Sequence, residues 1–155
     1  MTVEAVLETL DEYARTYCAK DIDGLMAVFH EGEDISVIGT GADEFCVGAN
    51  EIQGLFLRNF AEATAKRFEW LQRHTMVTGD QAVVAVSLTI HLDVAGDLFH
   101  VPVRWTVVLR HLDADGLGST DTHLPLQQAR MKGAHTRSSR NDGDREPSRP
   151  CRGFA

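Results

Sequence analysis

The sequence has no apolar run near the ~20 residues that a membrane-spanning helix requires, and it holds only three cysteines in 155 residues. The first absence excludes a helical membrane span, so no membrane partner is expected. The start, MTVEAVLETLDEY, carries acids where a secretion signal carries bases and an apolar core, and the expected location is the cytoplasm. Cys18, Cys46 and Cys151 form an odd set without a CxxC spacing. That excludes a disulfide framework and a thiolate zinc centre; Cys18 and Cys46 read as buried, inert thiols and Cys151 as a free exposed one. Basic charge is scarce, with 15 Lys and Arg against 23 Asp and Glu, a net charge of −8. An acidic body of this kind argues against nucleic acid as a partner, because phosphate binding draws on clustered Lys and Arg. No two histidines stand at the i,i+4 spacing of a helical metal site, and no glycine-rich loop runs into a helix carrying Lys. Neither a metal nor a cofactor is expected.

What is present is unevenly distributed. Residues 127–155 hold seven basic and three acidic residues and no Leu, Ile or Val. Such a segment cannot bury enough apolar surface to offset its ordering entropy, and it is expected to be a disordered basic tail. Residues 1–126 form the expected single domain, long enough to build a core without staples.

Periodicity organises that domain. Val3, Val6, Leu7, Leu10, Ala14 and Tyr17 follow helical spacing behind Thr2, and Asp21 can cap a short second helix carrying Ile22, Leu25, Met26 and Phe29. Ile35–Ile38 reads as a strand, Gly39-Thr40-Gly41 as a tight turn, and Glu44–Val47 as a return strand. A third helix follows Gly48, with Ile52, Leu55, Phe56, Phe60 and Ala63 on one stripe. From Phe68 the period is two. Phe68–Val77, Gln81–Asp93 and Leu98–Arg110 are strands separated by Thr78-Gly79-Asp80 and Ala95-Gly96-Asp97, and Ser119–Leu124 is expected as the last strand. Helices before an antiparallel meander with one strongly apolar face make an α+β fold, a curved sheet wrapped over helices. The opposite face, with Ser87, Thr89, His91, Arg104 and Thr106, is expected to pair two copies in a homodimer.

Several short motifs then resemble one known group. Asp21-Ile22-Asp23-Gly24-Leu25-Met26-Ala27-Val28-Phe29 is similar to the start of the second helix in the nuclear transport factor 2-like superfamily, also called SnoaL-like or ketosteroid isomerase-like. Val37-Ile38-Gly39-Thr40-Gly41 with Asp43 and Glu44, Val47-Gly48 with Glu51-Ile52, and Val103–Leu109 followed by Thr122-His123-Leu124 resemble its SnoaL-like branch, over about residues 5–125. The resemblance implies a cone-shaped, cystatin-like α+β domain, a homodimer, and an apolar pocket between sheet and helices. It also implies that Tyr13 stands where the isomerases carry a hydrogen-bond donor to a developing enolate oxygen. Their carboxylate base belongs near the end of the first strand, where Val37-Ile38-Gly39 has no acid, and their late-strand Asp corresponds to Val107-Val108. Steroid-type isomerisation is therefore disfavoured.

The candidate catalytic residues are Tyr13 as donor and Asp34 or His123 as base; Tyr17, Trp70 and Trp105 are the candidate ligand-binding walls. Tyr13 and Tyr17 stand one helical turn apart, so both can face the sheet. His30, just after the second helix, could pair with Asp34 or merely complement the helix C-terminus. Two functions stay open. One is a small-molecule pocket protein acting as an isomerase, cyclase or dehydratase on an apolar carbonyl compound. The other is a non-catalytic homodimeric binding or association module. A cavity of roughly 300 Å³ or more beside Tyr13 would favour the first, and close packing there the second.

Overall fold

The computed structural model describes residues 1–29, 35–39 and 43–111, and the backbone of 126–133. Helix α1 (Val3–Ala19) begins where the Thr2 hydroxyl accepts the Ala5 N–H at 3.2 Å, and it ends at Lys20, whose φ of 54° is left-handed. Its stripe of Val6, Leu10, Tyr13 and Ala14 is buried. Asp21 caps α2 (Ile22–Ala27) by accepting the Gly24 N–H at 3.0 Å. The short strands β1 (Ser36–Ile38) and β2 (Phe45–Val47) pair antiparallel, and α3 (Ala49–Glu62) buries Ile52, Leu55, Phe56 and Phe60, the stripe expected from spacing. No described helix is long and apolar enough to cross a membrane.

The meander consists of β3 (Thr64–Thr78), β4 (Gln81–Val94) and β5 (Asp97–Arg110). Alternation sorts its side chains as expected. Ala82, Val84, Val86 and Leu88 of β4 and Val103, Trp105, Val107 and Leu109 of β5 are buried on the inner face, against α1 and α3. β3 starts four residues earlier than the sequence indicates, at Thr64, because Thr64 and Ala65 pair with Asp93 and Leu92. The Lys66-Arg67 pair hides that start from a hydrophobic pattern.

One expectation is corrected. The last strand, β6, runs Leu126–Gly133, so residues 127–133 belong to the sheet and not to a tail. The strand expected at Ser119–Leu124 lies outside the described residues. In the six-stranded order β2-β1-β6-β5-β4-β3, β6 is parallel to β1 and antiparallel to β5. LQQARMKG carries no branched-aliphatic alternation, so backbone pairing on both sides, not pattern, defines this strand.

Candidate functional site

Helices and sheet meet along a layer of aromatic rings. Tyr13, 3% exposed, lies at its centre, with ring centroids 4.8 Å from Trp105, 5.8 Å from Tyr17, 6.1 Å from Phe56 and Phe68, and 6.2 Å from Phe29. Most of these contacts are edge-on, the arrangement that ring quadrupoles favour. Trp70 stacks on Trp105 at 6.4 Å, and the Arg73 guanidinium lies 5.2 Å over the Trp70 ring. The Trp105 indole N–H is buried, with no hydrogen-bond partner among the described residues. Burial pushes the Tyr13 hydroxyl well above the ordinary tyrosine range, with nearby Tyr17 adding to the effect. Burial also raises Tyr17; a hydrogen bond from Asn59 opposes that shift and nearby Glu44 reinforces it.

These shifts have a stability consequence. Both phenols stay protonated in the folded chain above the pH where an unfolded tyrosine ionises, about 10. Their contribution is fully present below that pH and is lost as pH climbs through the raised folded values. In an absorbance titration of the two tyrosines, ionisation should therefore coincide with loss of the circular dichroism signal above pH 10. A phenol that titrates near pH 10 in a chain still folded would contradict the burial.

Next to Tyr17 the packing opens into a cleft of about 210 Å³. Its floor is aliphatic: Ile90 and Leu92 of β4 and Val101 and Val103 of β5, all on the inward face, with Ile90 paired to Val101. Its rim comprises Tyr17, Glu44, Asn59, Glu62 and Ala63. Asn59 and Glu62 come from the last turn of α3 at i,i+3 spacing, which brings both to one edge. Glu44 precedes β2.

Of the residues singled out from the sequence, Tyr17 lines the cleft. Tyr13, Trp70 and Trp105 form the aromatic layer beside it and are not among its lining residues. Asp34, His123 and His30 lie outside the described residues. Tyr13 itself is closely packed, the outcome set out above as favouring the association module; the opening is smaller than 300 Å³ and lies instead beside Tyr17, one turn along α1. Glu44, Asn59 and Glu62 were not singled out from the sequence. Polar residues at the end of an otherwise apolar helical stripe were the available signal for the last two. Cys46 is buried as expected, whereas Cys18 is only half-buried; burial pushes both thiols up, away from the thiolate form.

The outer face of the meander has its own cluster. His91 Nε2 lies 2.6 Å from Glu69 Oε2, and its ring is 4.5 Å from that of His100. The His91 contact holds the Glu69 carboxyl below the usual range. Among the described residues, no three His, Cys, Asp or Glu side chains are placed to hold a metal ion.

Comparison with known proteins adds a family and a fold. The SnoaL-like domain family matches residues 6–115. No functionally curated protein matches the chain. Among solved structures, a candidate dehydratase of the nuclear transport factor 2-like family from Streptomyces avermitilis is 19% identical with a TM-score of 0.70, over 86% of this chain and 96% of its own. A ketosteroid isomerase-like protein from Erwinia carotovora atroseptica is 14% identical with a TM-score of 0.68, over 86% and 97%. A nuclear transport factor 2-like superfamily protein from Salmonella enterica serovar Typhimurium is 14% identical with a TM-score of 0.71, over 90% and 96%. At such identities the likeness is one of fold.

Proposed function

Because the chain belongs to the SnoaL-like domain family, whose fold alone does not define an activity, we propose that it is a cytoplasmic small-molecule pocket protein working through the cleft beside Tyr17. The observation that carries this reading is the cleft itself. Four aliphatic side chains form one wall, and the Tyr17–Asn59 pair stands opposite at the rim. That is the usual composition of a ligand site, an apolar body with a few placed polar groups. An apolar cavity of about 150 Å³ holds benzene, so about 210 Å³ accommodates one ring with a short substituent. An isomerase, cyclase or dehydratase reaction on an apolar carbonyl compound would draw its base from Asp34 or His123. In this reading the donor is Tyr17, not Tyr13.

Native mass spectrometry of the purified chain should reveal a co-purifying small molecule, and calorimetry should give its affinity. Tyr17→Phe should weaken binding by about 0.5–1.5 kcal/mol, the net worth of a neutral hydrogen bond. A ligand-free spectrum together with flat titrations of one-ring compounds would remove the cleft as a binding site.

A second reading, a homodimeric association module, is favoured by one observation. The sheet exposes Leu71, Met76 and Leu98 at 61%, 53% and 70%, on strands whose inner face is already packed. Met76 stands opposite Val83, and Val83 opposite Val108, on the outer face. Two copies joined there would cover these side chains. Light scattering at micromolar concentration should give twice the 17.1 kDa chain mass, and Thr89→Arg, at the centre of that face, should return it to one chain. A particle of single mass would exclude the dimer.

A further inference from the structure

The apolar floor of the cleft does not end with the cleft. Along β5 the inward row runs Val103, Val101, Phe99, and along β4 it runs Leu88, Ile90, Leu92, Val94, with Leu92 paired to Phe99. Exposure rises along both rows. Leu88 and Val103 are 1% and 6% exposed, Ile90, Leu92 and Val101 are half-buried, and Val94 and Phe99 reach 36% and 48%. A strip of apolar sheet therefore continues from the aromatic layer through the cleft to the β4–β5 hairpin, where the β5 row ends in the exposed Asp97. A ring bound in the cleft would lie on the half-buried middle of this strip.

Strand β6 delivers the chain to it. β6 runs antiparallel to β5, from Leu126 opposite Leu109 to Gly133 opposite Val103, and Val103 is itself a wall of the cleft. The backbone leaves β6 there, heading toward Val101 and Phe99. Residues 134–155 follow, with no Leu, Ile, Val or Met and a single phenyl ring, Phe154. At ~3.3 Å per residue the chain from Gly133 can carry Phe154 up to ~70 Å, far more than a return to the cleft needs. Such a tether presents its ring at an effective concentration in the millimolar range, so a weak intrinsic affinity is enough to seat it. The charges agree. Residues 134–155 carry five Arg and three acids, whereas residues 1–133 carry 10 Lys and Arg against 20 acids. Exposed ion pairs contribute little each, so the ring is the anchor and the charge draws the segment toward the acidic domain. We propose that residues 134–155 are the resident occupant of the cleft, with Phe154 laid on its aliphatic floor, and that a small molecule enters by displacing them. This rests on the cleft being a site for one ring, and it adds that the chain itself regulates access to that site.

The test compares the full chain with its Phe154→Ser variant, both with isotope-labelled Leu and Val methyl groups, and uses 2-phenylethanol as the probe. The Leu92, Val101 and Val103 methyl resonances should shift on substitution, because the ring current over them is lost. Calorimetry should show 2-phenylethanol bound about three- to fivefold more tightly by the variant, whose cleft is open in every molecule. Unmoved methyl groups, or equal probe affinity for the two forms, overturn this inference; the cleft stands as a ligand site wherever the probe binds. Methyl shifts with no probe binding to either form keep the segment in the cleft and overturn the small-molecule reading. A methyl shift that disappears on dilution assigns the occupant to a second copy of the chain and overturns the intramolecular seat.

Discussion

Ending the chain after Pro125 should abolish cooperative folding, whereas ending it after Gly133 should leave the melting temperature within about 4 °C, roughly 1 kcal/mol for a chain of this size. β6 joins the two parts of the sheet. It pairs with β5 from Val103↔Gly133 to Leu109↔Leu126, and with β1 at Ser36↔Gln128, Val37↔Ala129 and Ile38↔Arg130. Without it, β5 and β1 become open edges with unpaired N–H and C=O groups. The β1–β2 hairpin would then be a two-stranded ribbon, which is marginal at best on its own. Val37 and Cys46, now 2% and 8% exposed, would lose the sheet that holds them in the core. Thermal and urea melts of the two truncations decide the matter. Ala129→Pro, which removes a ladder donor between two strands, should fall between them. Equal melting temperatures for both truncations would show that residues 126–133 contribute nothing to the sheet.

Trp105→Ala should cost about 3–5 kcal/mol, the usual range for removing a large buried aromatic. The indole is 2% exposed and packs on Tyr13 and Trp70. Phenylalanine at the same position should cost much less, below about 1.5 kcal/mol, because it keeps most of the ring volume. Among the described residues the buried indole N–H has no partner, so none of them loses a hydrogen bond with it. Urea unfolding of both variants gives the comparison. A loss below about 1 kcal/mol in Trp105→Ala would mean that the indole faces open space, and would return Trp105 to the ligand-binding walls.

The element order was legible in the sequence because each helix and long strand buries one face. Leu10, Tyr13 and Ala14 at helical spacing, and Val84, Val86 and Leu88 at alternate positions, carry that signal locally. β6 was not legible. Its Gln-Gln-Ala-Arg-Met-Lys run resembles tail, and its place depends on pairing with β1, some 90 residues earlier. The cleft was half legible. Tyr17 follows from its position one turn beyond Tyr13, but Glu44 belongs to a turn, where no periodicity applies.

The sequence by itself determined the acidic α+β domain, which side chains form the inner face, and the likeness to the SnoaL-like family. These depend on local spacing and on short motifs in order. Only the tertiary structure decided that Tyr13 is packed by Phe29, just beyond α2, and by rings from α3, β3 and β5, and that the opening lies at Tyr17. The physical reason is that a cleft is space left over between elements. Its size and charge depend on how side chains distant in sequence meet, which no local pattern records.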